Sequence, residues 1–498
     1  MPQKKQVGGM QEVFFQLKAK DLKGTEKVIR AIEKAGGRIL HAYPPEVVVA
    51  SVPAARATKV AKLPGVASAS SGEVKASVLK KVSPGVAYAV RAWNDHVSAQ
   101  RQEAFMVREG AGLDWDAEGR TPPHPPAEIE RLIRGWEAQL APAMEAKVQG
   151  APVMSIPVLV GRMGVGVVFV DSTVSQYAIT DAEKSKVISE TTEGLNMLGG
   201  FEPRAGIQWF YDLRRPKVSL QPSAFPAGNK NGWEDTWRNA ALGAMGYAAS
   251  AAGMNKYIAD IKAKFNAQHA YALFVTKHPV VWFGYQWGNH VVMDFGVDGW
   301  GIDNFNLVVA HETGHVFGCP DEYAASGCNC TSLFGRYQIA NGNCQPCASP
   351  FVPCLMCANT PAVCDYTRGH LGWNELAVQS EGTTTLKGTW TFDFDTGVQG
   401  PAGGADVWWE QINTVSRLLV PQSGAMLAPM GKPNFDAVSL QTLKTQAYTA
   451  NPINGSNNAL NKLKPGTVIA IKTSAGRYAK LKVNTYGYNL GISWVTYK

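Results

Sequence analysis

The sequence predicts an α+β protein of several domains, and three observations predict it. At 498 residues the chain exceeds what one hydrophobic core organises. Strand-like and helix-like patterns alternate along residues 11–76 and again along 164–295. From Thr383 onward they give way to short strands separated by Gly, Pro and Asn. Hydrophobic residues at 45% and charged residues at 18% are globular proportions and exclude wholesale disorder. No apolar run nears the roughly 20 residues that cross a bilayer, so no membrane span is expected. We divide the chain into residues 1–82, 83–154, 155–378 and 379–498.

In the first segment, residues 12–17 alternate and carry Phe14 and Phe15, as a strand does. A helix over 25–35 aligns Val28, Ile29, Ile32 and Ala35 on one face, and Gly36-Gly37 ends it. Residues 39–43 and 47–52 are β-rich, with Pro44-Pro45 turning between them. A short helix over 54–63 and a strand over 66–71 follow. The stretch AGGRILHAYPPEVVVASVPAARATKVAKLPGVASA resembles the propeptide/inhibitor domain of subtilisin-type proteases. That resemblance implies an open ferredoxin-like sandwich serving as an intramolecular prodomain; an unrelated α+β module is the alternative. Residues 1–81 hold 15 Lys/Arg and 6 Asp/Glu, leaving 33 and 34 for the remainder, so the net +8 resides at this end. These cations are interleaved with Glu rather than gathered in a stripe. That reads as a solvated surface, with no nucleic-acid partner.

Residues 84–150 look helical and polar, interrupted by GAGLDWDAEGRTPPHPP. Pro122, Pro123, Pro125 and Pro126 preclude a continuous element there, and the segment reads as a connector. Strands are expected at 164–171, 207–213 and 271–276, and helices at 180–198 and 255–265. Residues 289–295 alternate like an exposed strand. The alternation suggests a mixed sheet with helices packed on it. In the last segment, strands at 389–394, 407–409, 468–472 and 478–483 make a β-rich accessory domain. Its Trp408, Trp409, Tyr486, Tyr488 and Trp494 form either core or a carbohydrate- or surface-binding platform.

Chemistry concentrates in NLVVAHETGHVFGCPDEY, residues 306–323. Leu307, Val308, Ala310, Val316 and Phe317 supply an apolar face for a buried helix, with Asp303 as its N-cap. His311 and His315 lie one turn apart on the same side, a spacing that suits two nitrogens reaching one Zn²⁺ at about 2.0–2.1 Å. Glu312, beside the first histidine, is placed to act as a general base on water at the metal. Two His and one Glu on the buried side of a helix are costly unless something ligates them. Gly318 can take a positive φ and Pro320 prevents continuation, so the chain turns back and brings Asp321 toward the same metal. Three protein ligands leave a fourth position open, the pattern of a catalytic zinc. Glu322 is the rival third ligand.

HExxHxxGxxD is the extended metzincin pattern with Asp where most relatives have His, and HETGHVFGCPDEY resembles the active-site stretch of snapalysin-type metzincins. The resemblance implies a zinc endopeptidase acting on protein or peptide substrates. It also implies a methionine turn beneath the zinc, matched in type and place by Cys354-Leu355-Met356-Cys357, with Met356 as a packing floor. The strands of 164–295 would form an upper subdomain, with an edge strand near 289–295 lining the cleft. The likeness is close only around the zinc motif and architectural over the rest of 155–375. Ala358 stands two residues after Met356, where serralysin- and astacin-like enzymes carry a zinc-binding tyrosine, and the insertion 326–353 is long and Cys-rich. His290 and His370 read as structural or surface residues. No cysteine precedes Cys319, so prodomain inhibition would use chain lying in the cleft, or a carboxylate such as Asp114 or Asp116. The alternatives are a zinc hydrolase of another bond, or a non-catalytic adhesin or carbohydrate-binding protein with a vestigial site.

All eight cysteines fall between Cys319 and Cys364. An even count in a loop-rich region argues for disulfides that tie the loop after Asp321 to the turn around Met356. Such bridges imply an oxidising compartment and a secreted protein. Alternatively, CQPC and CLMC hold a second, structural zinc. The start MPQKKQVGGMQEVFF has no apolar core or small-residue cleavage site, so no secretory signal peptide is read there.

Overall fold

The computed structural model describes residues 9–75, 83–98, 108–125, 129, 156–225, 230, 232–376, 378–401, 405–433, 435, 438 and 440–498. The chain is a mixed α+β protein in two compact units, one of Met1–Ile32 with Gly37–Trp373 and one of Glu33–Gly36 with Asn374–Lys498. Among the described residues no helix is long and apolar enough to cross a membrane.

The first unit opens with β1 (Met10–Leu17), α1 (Leu22–Lys34), β2 (Arg38–Tyr43), β3 (Val47–Pro53), α2 (Ala57–Val60) and β4 (Val66–Ser70). This is the order that the patterns of residues 11–76 predict. Thr25, Val28, Ile29 and Ile32 are the buried face of α1. There follow α3 (Pro84–Val97), β5 (Arg162–Ser172), α4 (Asp181–Gly200), β6 (Gln208–Arg214), β7 (Lys217–Val218), α5 (Trp233–Ala244) and α6 (Ala251–Phe265). The unit continues with β8 (His269–Thr276), β9 (Gly284–Trp287), β10 (His290–Asp294), α7 (Phe305–Val316), β11 (Leu333–Phe334), β12 (Ile339–Ala340) and α8 (Asp365–His370). Thr180 and Glu183 start α4 with a reciprocal capping box.

One mixed sheet of ten strands organises this unit, in the order β4-β1-β3-β2-β6-β5-β8-β10-β9, with β7 beside β5. The first four strands pair antiparallel, and β2 then joins β6 in parallel at His41↔Trp209 and Ala42↔Phe210. The N-terminal strands therefore share a sheet with those that follow, rather than standing apart. Strands β6, β5, β8 and β10 run parallel, and β5 is buried along nearly its whole length, as its Val-rich run requires.

The sheet corrects one expectation. Residues 290–293 are buried between β8 and β9, so β10 is an interior strand, not an exposed edge. The edge is β9, antiparallel to β10, which at four residues is too short to show a period. Helix α5 also went unread.

The second unit contains β13 (Val378–Leu386), β14 (Thr391–Asp393), β15 (Val398–Gly400), β16 (Val407–Gln411), β17 (Arg417–Pro421), β18 (Met426–Gly431), α9 (Leu440–Lys444), β19 (Ile453–Asn454), β20 (Val468–Lys472), β21 (Tyr478–Thr485) and β22 (Leu490–Tyr497). They form two five-stranded antiparallel sheets, β13-β22-β21-β20-β18 and β15-β14-β16-β17-β19. Their shared core includes Leu386, Phe392, Leu419, Leu427, Ile469, Leu481 and Ile492. Trp409 and Trp494 belong to that core, and of the five aromatics considered above only Tyr488 is exposed. Trp408 and Tyr486 are half-buried.

Candidate metal centre

Helix α7 is apolar over its first six residues apart from Asn306, and every residue except His315 is buried. It starts from a 3₁₀ turn, Ile302–Asn304, with no side-chain cap; Asp303, expected to cap it, instead pairs with Lys186. Its C-terminal end is closed by a Schellman motif. The Gly318 N–H donates to the His315 carbonyl at 2.9 Å, and the Cys319 N–H donates to the Gly314 carbonyl at 3.1 Å. Gly318 takes φ +84° to do so, a conformation that costs glycine nothing. The turn reverses the chain and carries Asp321 back to the helix.

The reversal also fixes the histidines. His315 Nδ1 donates to the Cys319 carbonyl at 2.7 Å, and His311 Nδ1 donates to the Leu355 carbonyl at 3.0 Å. A carbonyl only accepts, so each Nδ1 carries hydrogen and each neutral ring turns a bare Nε2 inward. The two Nε2 atoms lie 3.1 Å apart, and Asp321 Oδ1 lies 3.1 Å from the first and 3.3 Å from the second. With both rings neutral, three acceptors converge on one point, which a cation, whether a metal ion or a proton, can occupy. Burial by itself would depress both histidine pKa values, but the adjoining Asp321 carboxylate reverses this and holds them up. Burial likewise opposes ionisation of Asp321, and the two rings override it, holding its carboxyl far below the usual range.

Glu312 is fully buried, and neither carboxylate oxygen has a hydrogen-bond partner among the described residues. One of its oxygens lies with the two histidine nitrogens in a group whose members are all within 4.8 Å of one another. Beneath the helix sits Met356, fully buried. Gly314 makes room for it, since a Cβ there would come within 2.9 Å of the Met356 Sδ.

Glu322 points elsewhere. It accepts from Asn343 Nδ2 at 2.7 Å, Thr367 Oγ1 at 2.9 Å and Cys364 Sγ at 3.1 Å, in a fully buried group with Cys354. The cysteines divide into two sets. Cys328–Cys344 and Cys330–Cys347 are disulfides, both within the insertion. Cys319, Cys354, Cys357 and Cys364 are buried thiols, and burial pushes Cys357 up to about 12. No bridge therefore ties the loop after Asp321 to the methionine turn. The CQPC–CLMC zinc is also excluded, because Cys344 and Cys347 are bridged to Cys328 and Cys330. His290 and His370 are both buried, beside Arg238 and against the Ile339 carbonyl respectively.

Sequence reading missed the segment 108–125. It is irregular, as its prolines require, but it is not a spacer. Trp115 is fully buried, its ring edge-on to His311 at 5.4 Å between centroids, and its Nε1 donates to the Leu355 carbonyl at 2.7 Å. His124 comes over the other histidine, with ring centroids 4.8 Å apart. Asp114 and Asp116 accept from Gln345 and from the Ala325 N–H, and neither belongs to a candidate metal group with His311, His315 or Asp321. A histidine among prolines was the only signal, and it carries no spacing. Most of the remaining connector, residues 130–155, lies outside the described residues.

Several groups of the described residues could therefore hold a metal ion, and in the histidine–aspartate group the Leu355 and Cys319 carbonyls orient the two imidazoles. No protein-family model matches the chain, and no curated protein matches it.

Proposed function

We propose that the chain is a zinc-dependent endopeptidase of metzincin type, made as a proenzyme. The observation that carries this reading is the convergence of His311 Nε2, His315 Nε2 and Asp321 Oδ1 at separations of 3.1–3.3 Å. Bonds of about 2.0–2.1 Å to a tetrahedral zinc would place its ligand atoms about 3.3 Å apart. Two nitrogens and a carboxylate oxygen are also a donor set that zinc accepts. When bound, zinc supplies a Lewis acid that polarises a carbonyl and brings the pKa of water to about 7.

The remaining roles fall to the chain itself. Glu312, buried and without a hydrogen-bond partner among the described residues, takes a proton at a carboxylate oxygen and returns it to the leaving amine. The backbone carbonyls of Leu355 and Cys319 keep both Nδ1 atoms protonated, so the Nε2 atoms stay available. The edge strand β9 gives an extended peptide a backbone to pair with beside the site.

The order β4-β1-β3-β2, with its β-α-β-β-α-β connection, supports the ferredoxin-like reading of the N-terminal segment. The parallel pairing of β2 with β6 supports a role for that segment in folding the sheet. The two disulfides support an oxidising, extracellular setting.

Elemental analysis of purified protein should find zinc, and a casein zymogram should show activity that chelator removes and Zn²⁺ restores. Glu312→Gln should retain the metal while losing about 10²–10⁴-fold in turnover. A folded sample without transition metal, or a fully active Glu312→Gln, overturns the reading.

A further inference from the structure

The segment 108–125 does more than cover the site. Its first half is pinned to the methionine turn. The Gly112 N–H donates to the Asn359 carbonyl at 2.8 Å, the Asn359 N–H to the Leu113 carbonyl at 2.9 Å, and the Trp115 N–H to the Cys357 carbonyl at 3.0 Å. Its second half is held by three successive carbonyls. Trp300 Nε1 donates to Thr121 O at 2.8 Å, Trp282 Nε1 to Pro122 O at 3.0 Å, and Tyr323 Oη to Pro123 O at 2.7 Å. His124 then donates its N–H to the Gly284 carbonyl at 3.1 Å, so the segment meets β9 at its first residue, where a substrate peptide would begin to pair.

These anchors aim one side chain. A ring nitrogen of His124, a ring nitrogen of His315 and a carboxylate oxygen of Asp321 all lie within 4.8 Å of one another. His124 is held at φ +62° between Pro123 and Pro125. That conformation is sparsely populated for a side-chain-bearing residue and further disfavoured before proline, so the surrounding contacts over-determine it. The prolines add a second property. Pro122, Pro123 and Pro125 have no N–H, so His124 alone of these four residues can donate to β9.

We propose that His124 is the fourth protein ligand of the metal held by His311, His315 and Asp321, and that through it the segment 108–125 keeps the chain latent. Imidazole is a normal fourth donor for a site already built of two imidazoles and a carboxylate. With four protein donors the site has the closed character of a structural centre, and His124 takes the Gly284 carbonyl of β9 that a pairing peptide would use. Displacing the segment reopens both. The inference rests on the zinc-peptidase reading and names the regulation of that same site.

The test uses the full chain loaded with Co²⁺ in place of zinc and reads the visible absorption of the metal. The wild type should show a four-protein-ligand spectrum that acetohydroxamate leaves unchanged. His124→Ala should shift the bands and make them respond to acetohydroxamate, and His124→Asn, closer in size, should do the same. Casein hydrolysis by the zinc-loaded variants should rise about tenfold or more, as expected if the segment occupies the site at least nine-tenths of the time. Variants that bind Co²⁺ with an unchanged, hydroxamate-insensitive spectrum would overturn the ligand assignment while leaving the metal site standing. A spectral shift with falling hydrolysis would overturn latency. No Co²⁺ spectrum in the wild type would overturn the zinc reading itself, and this inference with it.

Discussion

Helix α7 and the segment 108–125 meet at the same donors, yet they are held in opposite ways. The helix presents side chains at fixed spacing from a backbone that satisfies itself, and only His315 of its residues escapes full burial. The segment buries Trp115, but its second half is held through its own backbone, by carbonyls that accept from Trp300, Trp282 and Tyr323. Each such bond contributes about 0.5–1.5 kcal/mol net, because water can replace it. Side chains that present donors are built into the core, and the stretch 121–124 that must yield is held by replaceable bonds.

Metal removal should separate the two most sharply. With metal at about a thousand times its Kd, stripping it should cost about 4 kcal/mol of unfolding free energy. The size of that loss should depend on pH. In the metal-free protein, the raised His311 and His315 pKa values stabilise the fold fully below the unfolded value of about 6.5. That contribution is lost as pH rises through the folded values. Asp321, held low, contributes above about pH 3.9 and loses its effect only as pH falls through its depressed value. The stripped triad therefore helps most between about pH 4 and 6.5. Metal competes with protons for the same atoms, so the gap in Tm between loaded and stripped protein should widen from pH 5.5 to 8. A gap that narrows over that range would break the assignment of these residues as ligands. The anchors of 121–123 do not titrate there and should be indifferent.

Truncating Met356 comes next. The side chain is fully buried under Gly314, so Met356→Ala should cost about 3 kcal/mol, near the middle of the range for a buried methionine. Met356→Leu, which conserves volume, should cost less than about 1.5 kcal/mol. Urea titration of both variants checks this. Equal, negligible losses would mean that nothing packs on that floor.

The contrast between helix and segment also explains what the sequence disclosed. The βαββαβ order of residues 10–70 was readable because α1 has one apolar face and the β-rich runs are separated by Gly or Pro. His311, Glu312, His315 and Asp321 were readable because helical spacing and one glycine turn carry their geometry. His124 was not, because its position is set by three carbonyls and an N–H, groups that every residue but proline possesses alike. Strand β9 was hidden for a related reason: four residues give no period, and its role comes from pairing with β10. The cysteine division was equally opaque, since spacing does not say which sulfurs meet.

Tyr323→Phe makes the smallest change and tests the segment directly. The ring is buried, so phenylalanine keeps the packing, and what is lost is the bond from Oη to the Pro123 carbonyl together with the hydroxyl's interaction with Asp321. Their loss should cost about 1 kcal/mol. If 108–125 opens as a local unit, that cost appears in its own opening equilibrium. Exchange of the His124 and Trp115 amide hydrogens should then accelerate about fivefold, with those of α7 unchanged and Tm nearly so. If the segment opens only when the whole unit unfolds, the same 1 kcal/mol must appear everywhere at once. Exchange in α7 would then rise in step, and Tm would fall by a few degrees. Hydrogen exchange resolved to these amides decides between the two, because the ratio of the accelerations does not depend on the absolute size of the effect.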